Sequence, residues 1–339
     1  MSYVFLRKLL RYVTNRLINP SRGWIAFVLS YCDFRKTVTS YEDGQGSLPE
    51  LGERVVVFCH FDPEGIIRDY TRTYIDSLKK EGLDIVFVTN SPRLLPSDHK
   101  WIRLRANRLV FRRNIGYDFA AWRDAMDICG LPSVNTRFLL IANDSWEHRF
   151  HVQSYFFAFG EVALRHPAFA KFWSSVKNVQ SKWWVIRRYE VGMAQTFIAA
   201  GLRCKAIWAY MDMIEGIANS IAESADEHPT ALTRNSLPVD IQPPHKPNRQ
   251  PNPFVDIQQS NSRRILDLAL RQVPLNPTAH LWQFLLESGF PFINRELLRY
   301  NPAQISGVTA WSPLVRQIDS QSHAMILSDL EKSAKNRAP

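Results

Sequence analysis

Four short apolar runs of β type set the frame for this chain: VVVFCHF at 55–61, DIVFVTN at 84–90, RLVFR at 108–112 and RFLLIAND at 137–144. Helix-period sequence fills Ile66–Glu81 and Asp118–Ile128 between them. A strand that is apolar along its whole length must be covered on both faces, and strands joined through helices run parallel. The pattern predicts an α/β domain over residues 53–215, a mostly parallel, Rossmann-like sheet with flanking helices. It also predicts where chemistry lies. In such sheets ligands bind beyond the carboxyl ends of the strands, and those ends read His60-Phe61-Asp62, Thr89-Asn90-Ser91, Asn114-Ile115-Gly116-Tyr117-Asp118 and Asn143-Asp144-Ser145.

The flanks read differently. Residues 1–18, MSYVFLRKLLRYVTNRLI, put Leu6, Leu9, Leu10, Val13 and Leu17 on one helical stripe beside Arg7, Lys8, Arg11 and Arg16. Residues 1–40 carry seven basic groups against one acid, so +6 of the chain's net +10 is concentrated there. The functional reading of segment 1–52 is a basic amphipathic helix lying on an anionic membrane surface. The alternative is a helix packed on the rest of the protein with a solvated basic face. After residue 210 the regular pattern fades. Segment 216–262 reads as a linker or long loop, with seven prolines between 228 and 262, and 263–339 as a helical extension whose last stretch, from Ser320, is expected to fray.

Several function classes fall away. No apolar run approaches the roughly 18–20 residues of a membrane-spanning helix. Cys32, Cys59, Cys129 and Cys204 are widely spaced with no CxxC and no neighbouring His at ligand spacing, which argues against a zinc site and a disulfide framework and for a reducing, cytoplasmic setting. No Walker loop, GxGxxG, GxSxG or HExxH occurs. The basic excess lies in residues 1–40 without a recognition motif, so nucleic acid is not an expected partner.

The remaining candidates are polar residues at strand ends. Asp144 follows a buried strand and is either a turn or helix-cap residue or an acid that holds a divalent cation or a donor sugar. In RRNIGYDFAAW, Gly116 makes a tight strand-to-helix turn, Asn114 offers hydrogen bonds, and Asp118 sits at a helix start, where a plain cap is the alternative. Arg112 and Arg113 precede that turn, either facing a diphosphate or simply solvated. In RRYEVGMAQTFIAAG at 187–201, Glu190 reads as the opening acid of a helix, either a favourable first-turn charge or a general base. His151, Gln153, Ser154 and Tyr155 stand ahead of an aromatic strand and are candidates to face an acceptor sugar.

At these residues the chain resembles the rhamnan synthesis protein F family of bacterial polysaccharide assembly. The resemblance runs over most of 53–311 through VVVFCHFDPEG, YIDSLKKEGLDIVFVTNS, RRNIGYDFAAW, LLIANDS, HVQSYFFAF, FWSSV, RRYEVGMAQTFIAAGL and NPTAHLWQFLLESGFPFINRELLRYNP. It implies a GT-A-like fold and an inverting glycosyltransferase. The implied roles fall on Glu190 as base, on Asn114, Gly116, Asn143 and Asp144 as strand-end donor residues, and on Asp144 as the residue for a divalent cation, Mg2+ or Mn2+, if one is used. His60, Asp62, Asn90, Arg113 and Asp118 complete the expected donor side.

The chain departs from the family pattern in three places. Asn143-Asp144-Ser145 stands where Asp-x-Asp is usual, and Glu190 is followed by Val191 where a second acid is common. The stretch that normally separates Asn-Asp-Ser from HxQSYF is shortened, Asp144 being seven residues from His151, which reads as an internal deletion on the acceptor side. The implied activity is transfer of a sugar, L-rhamnose from its dTDP form, to a lipid-linked glycan in surface polysaccharide or O-antigen synthesis, by a peripheral protein on the inner face of the cell membrane. The alternative is a non-catalytic glycan- or membrane-binding member.

Overall fold

The computed structural model describes residues 13–33, 35–46, 50–143, 156–227, 253–271, 273, 275–301 and 304–335. It divides into two compact units, one up to Cys204 and one from Lys205.

The first unit is a mixed α/β structure around a six-stranded sheet. Its strands are β1 (Val38–Asp43), β2 (Arg54–His60), β3 (Asp84–Thr89), β4 (Arg108–Arg112), β5 (Phe138–Asn143) and β6 (Phe156–Gly160), in the order β1-β4-β3-β2-β5-β6. The middle four strands are parallel, and the two edge strands are antiparallel to their neighbours. All four apolar runs form the parallel core, as their sequence dictates. Side chains alternate between the faces of a strand. Val55, Val57 and Cys59 of β2 therefore join Phe119, Trp122, Ala125 and Met126 on one face, while Val56 and Phe58 join Ile75, Leu78 and Ile102 on the other. Helices α2 (Asp69–Lys80) and α3 (Pro96–Arg103) cover the second face, and α4 (Tyr117–Cys129) the first.

Edge strand β1 lies at residues 38–43, inside the segment that the sequence assigns to the N-terminal appendage. VTSYED is polar and half-exposed, and it joins the sheet through backbone pairing with β4, so no apolar run announces it. Ahead of it, a π-helical turn, Thr14–Ile18, runs into helix α1, Asn19–Ser30. Most of the expected amphipathic helix, residues 1–12, lies outside the described residues. Later in this unit come α5 (Pro167–Ser175) and a continuous helical run made of a short turn at Lys182–Trp184, a π-helical turn at Val185–Glu190 and α6 (Val191–Ala199).

The second unit is helical: α7 (Tyr210–Glu227), α8 (Pro253–Leu270), α9 (Trp282–Glu287), α10 (Arg295–Tyr300), α11 (Trp311–Ile318) and α12 (Ser320–Lys335) among its elements. Two expectations are corrected here. The stretch read as a linker over 216–262 is helical at both its ends, where α7 reaches Glu227 and α8 begins at Pro253. Residues 320–335 of the tail form a helix rather than a frayed end, because Arg295 grips Asp329 through two hydrogen bonds of 2.8 and 2.9 Å and Ile326 and Leu330 pack on the cluster around Trp282 and Trp311. Both misreadings come from counting prolines and charges instead of the apolar spacing between them. Among the described residues, no helix is long and apolar enough to cross a membrane.

Candidate functional site

The helices following β2 and β3 lie on one face of the sheet, and α4, which follows β4, lies on the other, so the winding reverses between β2 and β5. Such a reversal leaves a crevice at the carboxyl ends of the two adjacent strands. There Cys59 of β2 pairs in register with Asn143 of β5. The start of α4 closes over both: Asn143 Nδ2 donates to Asp118 Oδ2 at 2.7 Å, and Cys59 Sγ donates to Asp118 Oδ1 at 3.5 Å.

The turn into α4 is built for this approach. Gly116 has φ +81°, and a Cβ there would stand 2.7 Å from Ala120 Cβ and 2.8 Å from Asn178 Cα. Only glycine satisfies both the backbone and the space. Tyr117 follows with φ 57°, an unusual conformation for an aromatic residue, and its side chain is 38% exposed. Beneath the turn, the buried Arg112 donates to Asn90 Oδ1 (2.7 Å), Ile115 O (2.7 Å) and Asp124 Oδ2 (3.1 Å). Asn90 in turn points its Nδ2 at Cys59 Sγ, 3.7 Å away. Arg112 is therefore the strut under the turn and not a surface group, whereas Arg113 and Asn114 are exposed on it.

Glu190 does not open a helix, which corrects the sequence reading. The helical run begins at Lys182, and Glu190 is the last residue of the π-helical turn, 6% exposed, directly before α6. A first-turn dipole role is thus removed, and a π turn is a local widening often found where a helix presents a functional side chain. The turn packs against α4. Burial pushes the Asp118 carboxyl above its ordinary value; hydrogen bonds from Asn143 and Cys59 oppose this, and the nearby charge of Glu190 adds to it. Asp118 thus stands at the switch point, with the charge of Glu190 near enough to act on it. Beside Asp118, Asn143 Oδ1 is buried and has no hydrogen-bond partner among the described residues.

The structure links Asn90, Asp118 and Asn143 through Cys59, with Gly116 shaping the approach and the charge of Glu190 acting on Asp118. His60 and Asp62 serve a neighbouring loop. Asp62 Oδ1 accepts from the backbone of Glu64 (2.9 Å) and Ile66 (3.3 Å), and Oδ2 accepts from Arg68 Nε at 3.0 Å. The His60 ring is held by Thr89 Oγ1 (3.0 Å), Ser91 Oγ (3.3 Å) and Ile66 O (3.2 Å). Asp144, His151, Gln153, Ser154 and Tyr155 lie outside the described residues. Among the described residues, no three His, Cys, Asp or Glu side chains come together to hold a metal ion. Two contributors escape a reading of strand ends, Cys59 and Asp124. Cys59 was legible from alternation along β2, which sends it to the face of Val57 and α4.

Fold and site thus define a mixed α/β protein with a bonded Asp118–Asn143 pair at the switch point of its sheet. The model of the family described as rhamnan synthesis protein F matches the chain over residues 85–145 and again over 135–239, the family that the sequence resembles. The two matches overlap at 135–145. An uncharacterized protein, y4gN, of Sinorhizobium fredii is 23% identical over 207 residues, covering 52% of this chain and 53% of that protein. The chain therefore spans about half the length of that relative. Virulence protein VirA of Vibrio anguillarum is 24% identical over 286 residues, covering 75% of this chain and 82% of that protein. No solved structure matches the chain.

Proposed function

We propose that the first unit is a GT-A-like glycosyltransferase domain that moves a sugar from a nucleotide-diphosphate donor to a glycan during rhamnan-type polysaccharide synthesis. The observation that carries this reading is the Asn143–Asp118 pair at the switch point, with the charge of Glu190 acting on Asp118 and with Asn143 Oδ1 lacking a hydrogen-bond partner among the described residues. Asn143 and Asp118 are suited to a donor sugar's hydroxyls, and Arg113 with Asn114, exposed on the turn before α4, to its diphosphate. Glu190 takes the proton of the attacking acceptor hydroxyl. That oxygen forms the new bond to the anomeric carbon as the bond to the diphosphate breaks, and the nucleotide diphosphate leaves with the bonding pair. Transfer from the opposite face inverts the anomeric centre. A divalent cation, if used, falls to Asp144 and would neutralise the leaving group.

The donor in this reading is dTDP-L-rhamnose and the acceptor a lipid-linked glycan at the inner face of the cell membrane, both taken from the family resemblance. Incubation with a panel of nucleotide sugars, with and without lipid-linked acceptor, tests it: release of nucleotide diphosphate that depends on acceptor and is fastest with dTDP-rhamnose is the expected result. A second reading, a glycan-binding member without turnover, is favoured by the seven-residue spacing of Asp144 and His151. Binding without release in the native chain, with turnover recovered on lengthening that segment, would assign the protein to it.

A further inference from the structure

Helix α1 is apolar on both of its faces. Its inner face is sealed: a Cβ on Gly23 would stand 2.8 Å from the Trp183 ring, and Phe27 stacks on Trp184 at 4.4 Å. Its outer face, continued from the preceding turn, carries Leu17, Ile18, Ile25, Val28 and Leu29 on one stripe, each 41–62% exposed. Trp24 sits at the border, half-exposed and edge-on to Trp184 at 4.9 Å. A helix that is apolar all round needs a cover on each side, and a contiguous exposed apolar stripe marks an interaction surface.

Charge selects the cover. Arg16 and Arg22 are exposed on the same helical stretch, and residues 14–31 contain no Asp or Glu. Arg187 and Arg188 are exposed nearby, the Arg188 guanidinium standing 5.4 Å from the Trp24 ring centroid and 5.3 Å from that of Trp184. An identical copy would set these arginines against each other. An anionic bilayer instead accepts aliphatic side chains at the acyl boundary, an indole at the headgroup level and guanidinium groups on its phosphates.

We propose that the outer face of α1, around Ile25, Val28 and Leu29, docks the first unit on anionic membranes. The docking does not depend on transfer chemistry or on residues 1–12. It is read by co-sedimentation of the full chain with vesicles of phosphatidylcholine, with and without phosphatidylglycerol. The variant Ile25→Ser/Val28→Ser/Leu29→Ser should partition roughly tenfold or more weaker, because it removes the apolar area that inserts. Arg22→Glu and Arg188→Glu, which leave the apolar stripe intact, should lose the preference for phosphatidylglycerol, and they carry the test if the triple variant fails to fold. Removal of residues 1–12 should leave most of the binding. Parent-like binding of the triple variant, arginine variants that keep their preference, or loss of all binding on removing residues 1–12 would each overturn the proposal. So would a concentration-dependent dimer that the triple variant converts to monomer in the absence of vesicle binding, since a second copy would then cover the face.

Discussion

Asn143 Nδ2 and Asp118 Oδ2 lie 2.7 Å apart, tying the end of the central strand β5 to the first turn of α4. The bond occupies the amide nitrogen and leaves the amide oxygen buried with no partner among the described residues. Asp118 is thereby held in a buried setting that resists its ionisation, and the charge of Glu190 adds to that resistance.

Replacing Glu190 by Gln keeps shape and hydrogen-bonding capacity and removes proton acceptance. Turnover should fall by roughly 10²–10⁴ while donor affinity stays near the parent value. Glu190 is not in a first turn, so no loss of dipole energy obscures the result. Steady-state kinetics with calorimetric donor titration check it, and unchanged turnover removes Glu190 from the mechanism.

Asp118 should show itself in the pH dependence of stability. Its folded carboxyl titrates above the ordinary 3.8, so between the unfolded and folded values the native state binds more protons than the unfolded one. Stability contributed at this site therefore falls as pH rises through that window. Asp118→Asn abolishes the effect: thermal melts should show the variant gaining on the parent at neutral pH, with the difference shrinking below pH 3.8. A constant offset across pH would contradict it.

Gly116→Ala meets a φ of +81° and contacts of 2.7 and 2.8 Å that cannot give without moving α4 or residue 178. The expected cost is about 2–4 kcal/mol, from left-handed strain together with overpacking. Urea unfolding measures it. Gly130, at φ +63° with nothing within 4 Å of its would-be Cβ, serves as the strain-only comparison and should lose less.

Arg112→Met removes the strut beneath the turn. Asp124 keeps hydrogen bonds from Thr37 and Arg123, but Asn90 Oδ1 and Ile115 O each lose a donor in a buried setting. A loss of about 3 kcal/mol in denaturant unfolding is expected. An isosteric exchange that cost nothing would show Arg112 to be dispensable to the fold.

The parallel core was legible because a strand covered on both faces has no freedom in its composition: Val55–Cys59, Ile85–Val88 and Leu139–Ala142 admit only apolar or small residues. Strand β1 was not, since an edge strand needs backbone groups more than any side-chain pattern. At the candidate site, strand ends picked out residues that lie close together but not how they are wired. Asn143 and Asp118 were predicted from strand and helix ends and are bonded to each other. Asp62 was predicted by the same rule and is spent on Arg68 and its own loop. Sequence position cannot tell these apart, because the distinction lies in which way a loop folds back.

The π-helical turn at Val185–Glu190 has a consequence for how this protein can change over generations. It holds more residues than an α turn over the same rise, so it is in effect a single insertion stored within a helix. Losing one residue between 185 and 190 would let the run close as ordinary α-helix with its flanks still in phase, whereas the same loss from plain α-helix turns what precedes it by about 100°. Trp183 and Trp184, which seat α1, would keep the side on which they serve. Descendants can therefore give up one residue here more readily than in the helices around it, provided that the buried Tyr189 and Glu190 keep their places.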